Sequence, residues 1–184
     1  MDVTIRAAAP SDADAIARVQ VASWQVAYRG IVPDEHLDGL DWRERAEVRR
    51  EQLERAADEC VRVHVAVNDG SLVGFMATGP ERAAETSAPS GAEVYALYLA
   101  PEAWDQGIGR DLLARAVADV PDDIPVVLWV LTENQRARAF YERQGFRADG
   151  AATTIQLGGR ELAEVRYRVD RQDSSRQVAN PSDR

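Results

Sequence analysis

The sequence has very little cysteine and histidine, and this scarcity excludes two common ways of stabilising a small protein. Its single cysteine, Cys60, has no second cysteine with which to form an internal disulfide, and its two histidines, His36 and His64, stand apart from each other. Structural metal sites need several Cys or His ligands at close spacing. We therefore expect a protein of a reducing compartment, the cytoplasm, that binds no metal.

Long hydrophobic runs and an excess of positive charge are also missing. No segment approaches the run of about 20 apolar residues that a membrane-spanning helix needs, and "MDVTIRAAAP" has no basic stretch leading into an apolar one. The 22 Lys and Arg residues against 31 Asp and Glu residues give a net charge of −9. Because nucleic-acid binding usually needs clustered positive charge, we expect neither a membrane nor a nucleic acid as partner.

The chain is nevertheless long and apolar enough to bury a core. It has 184 residues, of which 45% are hydrophobic, and a chain of this length is by default one domain. The last stretch is polar and has no core-forming periodicity. We predict a single domain over residues 1–170 and a polar tail over residues 171–184.

Hydrophobic periodicity predicts a mixed α/β order of elements, β-α-α-β-β-β-α-β-α-β-β. Ser11 is placed to cap the first helix. A turn at Asn68, Asp69 and Gly70 is typical of a hairpin. The predicted elements are a strand in 3–8, helices in 11–27 and 37–57, two strands in 61–78, a loop in 79–91, a central strand in 92–101, a helix after residue 107, a strand in 125–132, a helix in 133–145 and a final hairpin in 153–169.

Two glycines one residue apart, Gly107 and Gly109, stand in "WDQGIGRDLL", where a helix begins. A helix N-terminus offers unpaired backbone amides, and glycine lets a phosphate approach them. A Walker A loop needs Lys and Ser or Thr after the second glycine, but Arg110 and Asp111 follow here. A dinucleotide fingerprint needs Gly or Ala where Leu112 stands. The pattern alone indicates either a diphosphate site or a plain glycine-rich helix start.

A second motif, "TENQRARAFYERQGF", begins a helix just after a strand. Asn134 stands at its start and Tyr141 lies seven residues on, two turns along the same face. The amide suits hydrogen bonding to a peptide-like ligand, and the phenol can supply a proton. Packing of Tyr141 in the core beside Phe140 is the structural alternative.

Together with "LYLAPEAWDQGIGRDLL", this motif resembles the GNAT family of N-acetyltransferases over residues 3–169. The specific parts are the strand, Pro and Gly-x-Gly of residues 94–113 and the Asn, Ala, Phe-Tyr and Gly-Phe series of residues 134–146. The resemblance implies an α/β fold of the GNAT acyl-CoA acyltransferase type, with a mixed, mostly antiparallel sheet of six to seven strands flanked by about four helices. It also implies acetyl-CoA in a V-shaped gap between "VYALYLA" and "VVLWVL".

The resemblance further implies a role for each of several residues. The backbone of one strand would pair with the pantetheine arm, amides of the next loop would hold the pyrophosphate, Asn134 would contact the cofactor and Tyr141 would protonate the leaving thiolate. Trp104 departs from the family pattern, which usually has Arg or Gln there. The residues assigned to the arm are Leu97, Tyr98 and Leu99, and those assigned to the pyrophosphate are Asp105, Gln106, Gly107, Ile108, Gly109 and Arg110.

Acetyl transfer to an amine also needs a group that accepts the amine proton. Glu93 is our first choice as base, because the period-two pattern puts it on one strand face with Tyr95, Leu97 and Leu99. The alternative, which the sequence favours equally, is that Glu93 is an ordinary acid at the exposed end of the strand. Asp34 and Glu35 are further choices.

The segment between the first two helices closes over the acceptor site in this family, which makes Trp24, Tyr28 and Arg29 candidate pocket residues. Packing between helices explains Trp24 equally well. We expect an acetyl-CoA-dependent N-acetyltransferase that acts by direct transfer in a ternary complex on a primary amine of a small molecule, peptide or protein. The alternatives are a non-catalytic acyl-CoA-binding sensing module and a nucleotide-binding protein. We also expect a homodimer in which the final hairpin is covered.

Overall fold

Seven strands and five α-helices make up the computed structural model, which describes residues 3–82 and 91–170. The predicted tail, residues 171–184, lies outside the described residues. The strands are β1 (Val3–Ala7), β2 (Arg62–Asn68), β3 (Ser71–Pro80), β4 (Ala92–Leu99), β5 (Val126–Leu131), β6 (Arg147–Leu157) and β7 (Arg160–Val169). The helices are α1 (Ala13–Ala27), α2 (Asp34–Asp38), α3 (Trp42–Arg55), α4 (Ile108–Ala118) and α5 (Gln135–Arg143).

The strands form one sheet in the order β1-β2-β3-β4-β5-β7-β6, in which only the β4–β5 pair is parallel. This confirms the predicted mixed, mostly antiparallel sheet. The predicted turn between β2 and β3 is also confirmed, because Asp69 and Gly70 both have positive φ. Among the described helices, none is long and apolar enough to cross a membrane.

Two helix boundaries differ from the prediction. Ser11 does not cap α1, because a 3₁₀ turn at Pro10–Asp12 precedes the helix and Asp12 accepts hydrogen bonds from Ala9 N and from the Arg6 guanidinium. The helix predicted over 37–57 is instead α2 and α3. The chain breaks between them, since Asp41 accepts from Arg43 N and thereby starts a new helix.

The two central strands diverge soon after they pair. β4 and β5 are in register only at Ala92 with Val126, Glu93 with Val127 and Val94 with Leu128. Beyond these pairs, the β4 edge from Tyr95 onward is open towards β5. The divergence therefore creates a gap in the middle of the sheet.

A β-bulge in β4 changes which side chains face the gap. Val94 lies opposite Thr78 and Ala96 opposite Ala77, so Tyr95 is the extra residue. Glu93 lies opposite Gly79, and a Cβ at Gly79 would stand 2.6 Å from the Tyr95 hydroxyl, so Glu93 and Tyr95 share a face.

After the bulge, the alternation of the β4 side chains between the two faces of the sheet is reversed. Leu99 contacts Gly109 of α4, on the opposite face of the sheet from Tyr95. The prediction that Leu97 and Leu99 share a face with Glu93 is therefore wrong, because the extra residue shifts the alternation by one.

Candidate active site

A cavity of about 640 Å³ occupies the gap between β4 and β5. Side chains reach it from both faces of the sheet, because α4 and α5 close one side and the end of α1 closes the other. Its polar and aromatic lining includes Tyr28, Arg82, Tyr95, Tyr98, Trp104, Asp105, Arg110, Trp129, Asn134, Arg136, Tyr141, Arg143 and Glu164. The cavity thus brings together both sequence motifs.

The Gly-x-Gly motif forms the N-terminus of α4. Gly107 is the N-cap with φ of +84°, a conformation that favours glycine, and Asp111 N makes the first helical hydrogen bond to Gly107 O at 3.1 Å. The amides of Ile108, Gly109 and Arg110 therefore precede the helical ladder and point out of the helix end. This end of the cavity is suited to an anion such as a diphosphate.

Gly109 keeps the first turn of α4 close to its neighbours. A Cβ there would lie 3.4 Å from Leu99 and 3.5 Å from Phe140, in ordinary contact with both. Gly109 itself lines the cavity. The first glycine is thus required by backbone conformation, whereas a Cβ at the second would be accommodated.

Asn134 caps α5 and lines the cavity. Its Oδ1 accepts from Ala137 N at 3.1 Å, and its side chain is buried, with 8% of the residue exposed. The side-chain NH₂ group keeps its two donors, which suit the carbonyl groups of a peptide-like ligand.

Trp104 is fixed at the cavity near the N-terminus of α4. Its indole donates to Leu99 O at 3.0 Å, and the Arg136 guanidinium lies 4.5 Å from the ring centroid. Arg136 also pairs with Asp105 at 2.8 Å. Trp104 therefore presents an aromatic face with a cation beside it, where the family pattern has Arg or Gln.

Tyr141 lies in the wall of the cavity, between Phe140 and Phe146. Its ring makes edge contacts with both, at centroid distances of 5.2 and 5.9 Å. Burial, followed by the nearby Tyr98, raises the pKa of the Tyr141 phenol well above its ordinary value. The hydroxyl is thus fully protonated at neutral pH and is available as a donor.

Two tyrosines from different elements meet on the α1 side of the cavity. The hydroxyls of Tyr28, just after α1, and Tyr98, on β4, lie 3.3 Å apart. Burial, followed by Tyr98, raises the pKa of Tyr28. Trp24 packs edge-on against Tyr28 at 5.3 Å, behind the cavity wall.

Glu93, the predicted base, is buried beneath Arg82. Only 1% of Glu93 is exposed, and its carboxylate accepts bonds from the backbone N, Nε and Nη2 of Arg82. The side chain is absent from the cavity lining among the described residues. The three bonds to Arg82 occupy the carboxylate and hold it away from the cavity, so it is not placed to contact an amine bound there.

The remaining acidic choices and Arg29 lie on the surface. Asp34 and Glu35 are exposed on α2, and Arg29 pairs with Asp34 at 3.2 Å and Asp38 at 2.8 Å. In the described part of the chain, none of these residues lines the cavity. The structure therefore brings Tyr28, but neither Arg29 nor these carboxylates, to the predicted acceptor side.

Comparison with known proteins identifies the family. The sequence matches the acetyltransferase (GNAT) family over residues 21–146. It is 31% identical over 175 residues to "Probable N-acetyltransferase Rv2775" of Mycobacterium tuberculosis, covering 92% of this chain and 95% of that protein. The chain belongs to the acetyltransferase (GNAT) family.

Solved structures show the same fold for this GNAT protein. One is the PaiA N-acetyltransferase of Thermoplasma acidophilum in complex with coenzyme A, with a TM-score of 0.69 at 24% identity, covering 90% of this chain and 98% of that one. Another is the ribosomal-protein-alanine N-acetyltransferase of Brucella melitensis, with a TM-score of 0.67 at 25% identity, covering 91% and 99%.

This GNAT protein is an acetyl-CoA-dependent N-acetyltransferase, an enzyme of the acyltransferase class. A relative of 32% identity in Bacillus subtilis, covering 89% of this chain and 90% of that one, is also named an N-acetyltransferase. The alternative of a non-catalytic sensing module is not favoured. Among the described residues, no cluster of three or more His, Cys, Asp or Glu side chains could hold a metal.

Several lining residues of the GNAT site were not predicted from the sequence, among them Arg82, Trp129 and Glu164. Arg82 follows β3, Trp129 is on β5 and Glu164 is on β7. The spacing within each segment marks none of them. Glu164 reaches the cavity because β7, although last in sequence, inserts between β5 and β6, and only the strand order shows this.

Proposed function

We propose that the enzyme transfers the acetyl group directly from acetyl-CoA to a primary amine while both substrates are bound. The observation that carries this proposal is one continuous cavity with helix amides at one end and carboxylate and phenol groups at the other. A shared cavity lets the amine reach the thioester without a covalent enzyme intermediate. Small molecules, peptides and proteins with a primary amine are all candidate acceptors.

The predicted contacts with acetyl-CoA follow the length of the cavity. The open backbone edge of Leu97–Leu99 is proposed to pair with the pantetheine arm, and Asn134 to donate to the same arm. The amides of residues 105–110 are proposed to hold the pyrophosphate. Support comes from the short β4–β5 pairing and from the exposed N-terminus of α4.

The chemical step needs a polarised thioester and a protonated leaving group. Backbone amides beside the Tyr95 bulge are proposed to donate to the thioester oxygen, as an oxyanion hole does. As the nitrogen–carbon bond forms and the carbon–sulfur bond breaks, Tyr141 gives its proton to the thiolate sulfur. The phenol is then reprotonated from solvent.

Glu93 and Trp24 are proposed to act through other residues. Glu93 positions the Arg82 side chain at the cavity, and Trp24 supports the ring of Tyr28. This replaces the predicted role of Glu93 as base with a positioning role.

The test of Tyr141 is a pair of Tyr→Phe variants. Tyr141→Phe should lower kcat by about 100-fold or more, because general acid catalysis typically contributes about 10² to 10⁴-fold. Tyr167→Phe is the matched control, since Tyr167 is a buried tyrosine bonded to Glu142 and Arg138 outside the cavity lining of the described chain.

Thiol release from acetyl-CoA is followed with a panel of primary alkylamines, amino acids and peptides. Calorimetry checks that both variants bind coenzyme A as the unmodified protein does. Equal kcat for Tyr141→Phe and the unmodified enzyme would exclude Tyr141 as the acid. Binding of coenzyme A without thiol release on any acceptor would favour the sensing module.

Assembly and location are further proposals. We propose a homodimer through β6, because β6 is an edge strand of the sheet and is largely exposed. Light scattering that gives one chain per particle would exclude it. The exposed free thiol of Cys60 is in keeping with the reducing cytoplasm.

A further inference from the structure

Glu164 is a carboxylate on the acceptor side of the cavity that makes no hydrogen bond or ion pair with the residues that the structure describes. It is half-buried on β7, opposite Leu131 of β5, and lines the cavity. Within residues 3–82 and 91–170, no side chain forms a hydrogen bond or ion pair with this carboxylate. A half-buried carboxylate loses part of its hydration, so a cation that binds in the cavity beside it would stabilise its charge.

The position of Glu164 relative to Tyr141 suits the two proton transfers of the reaction, one from the amine and one to the thiolate. Leu131 packs in a cluster with Tyr28 and with Leu37 of α2, whereas Tyr141 lies on α5 and packs in the main core, which includes Leu112 of α4. Residues directly opposite each other in an antiparallel pair share a face, so Glu164 projects to the Leu131 side. Glu164 and Tyr141 therefore enter the cavity from opposite faces of the sheet.

The net charge of Glu164 and its charged neighbours indicates the charge of the ligand that would bind there. Arg82 and Glu93 are paired with each other, which leaves one net negative charge among the three groups. Burial raises the pKa of Glu164, Arg82 lowers it and Glu93 raises it. Tyr28, which also faces this group, is neutral at physiological pH because its pKa is raised.

We infer that Glu164 binds the ammonium group of a singly charged primary amine and then accepts the proton that the nitrogen loses during acetyl transfer. This inference rests on the proposed function. The protons of the reaction balance. The alkylammonium first gives one proton to solvent through Glu164, and the nitrogen gives a second to Glu164 as the nitrogen–carbon bond forms. Acetylated amine and free thiol leave, Tyr141 regains its proton, and the reaction releases one proton overall.

The walls near Glu164 restrict the acceptor further. Tyr28, Tyr98 and Leu131 supply aromatic and aliphatic surface next to the carboxylate. An amine on an unbranched apolar stem fits these groups, while a second ammonium would find no further free carboxylate in the described lining. The acceptor class is therefore a monocationic alkylamine or a lysine-like side chain.

The experiment compares Glu164→Gln with Glu161→Gln, an exposed residue on the same strand, in the full chain. With an alkylamine that the unmodified enzyme acetylates, Glu164→Gln should lower kcat/KM for the amine by about 100-fold or more. It should also remove the acidic limb of the pH profile of kcat/KM. Affinity for coenzyme A should be unchanged, and Glu161→Gln should behave as the unmodified enzyme does.

A second measurement works without turnover. In the coenzyme A complex, n-butylammonium should bind to the unmodified protein and at least tenfold more weakly to Glu164→Gln, as followed by NMR. Acetylation that Glu164→Gln leaves within twofold at every pH would overturn the inference while leaving the proposed function standing. Equal butylammonium binding by both proteins, or none to the unmodified protein, would overturn it too. Tight coenzyme A binding with no acetylation of any amine would instead count against the proposed function.

Discussion

At the scale of single residues, the ion pair of Arg82 and Glu93 joins two very different environments. The Arg82 side chain is 65% exposed, whereas that of Glu93 is 1% exposed. A buried carboxylate is costly unless donors surround it, so Glu93 depends on Arg82 more than Arg82 depends on Glu93. The pair fixes a guanidinium at the cavity, while Glu164 makes no hydrogen bond or ion pair within residues 3–82 and 91–170.

Arg82→Ala should lower the free energy of unfolding by about 2 kcal/mol, because it leaves a buried carboxylate with one backbone donor in place of three bonds. Urea denaturation at pH 7 measures this change. Arg55→Ala is the control, since Arg55 and its partner Glu59 are both exposed and such pairs contribute less than about 1 kcal/mol. Equal losses in the two variants would show that Glu93 does not need Arg82.

His64 makes a second prediction at this scale, about pH. Burial lowers the pKa of His64 below its ordinary value, although Asp119, 3.4 Å away, opposes this. The unfolded chain takes up a proton near pH 6.5, while folded His64 stays neutral to lower pH. The contribution of His64 to the free energy of unfolding should therefore be constant above about pH 6.5, and it should fall as the pH drops below that value.

NMR titration of the His64 ring checks the direction of the shift, with His36→Gln used to assign the resonances. Denaturation between pH 7.5 and pH 5.5 should show a slope of at most about 1.4 kcal/mol per pH unit from this group. A His64 resonance that titrates above the ordinary value would contradict the prediction.

At the scale of elements, the N-terminus of α4 depends on one backbone conformation. Gly107 has φ of +84°, which turns the chain into the helix and aims the following amides at the cavity. Gly70 has nearly the same φ, +80°, in the hairpin between β2 and β3. Substitution of each of these glycines therefore distinguishes a loss of stability caused by backbone strain from a loss of coenzyme A binding.

Gly107→Ala and Gly70→Ala should each cost about 1 kcal/mol of stability, because a Cβ disfavours positive φ. Only Gly107→Ala should also weaken coenzyme A binding, by about tenfold, which corresponds to about 1.4 kcal/mol. Calorimetry gives the affinity and urea denaturation the stability. If both variants bind coenzyme A equally well, the amides of α4 do not hold the cofactor.

The elements themselves were largely predictable, because buried strands and amphipathic helices leave a periodic pattern in the chain. The β4 bulge was not, since "EVYALYLA" alternates without a local mark at Tyr95, and the extra residue is defined only by the pairing with β3. The environment of Glu93 depends on that pairing too, and on Arg82 at the end of β3. Contacts between distant segments therefore decided what periodicity alone left open.

At the scale of the whole molecule, the two ends of the cavity carry opposite charge although the protein is acidic overall. The net charge is −9, yet three arginines and one carboxylate line the end near α4 and α5, namely Arg110, Arg136, Arg143 and Asp105. Glu164 lies at the other end. An anionic cofactor thus meets local cations, while a cationic acceptor meets both a local carboxylate and the field of the whole protein.

Ionic strength should therefore affect the two kinds of acceptor differently. Raising it from about 0.01 M to about 0.1 M shortens the screening length from about 30 Å to about 10 Å, which weakens the long-range attraction of a cation. We expect kcat/KM for an alkylammonium acceptor to fall by about threefold or more over this range. An aromatic amine, which is uncharged at pH 7, should show little change, and the ratio of the two values cancels any effect of salt on acetyl-CoA binding. Equal dependence for the two amines would show that the acidic surface does not guide the acceptor to its site.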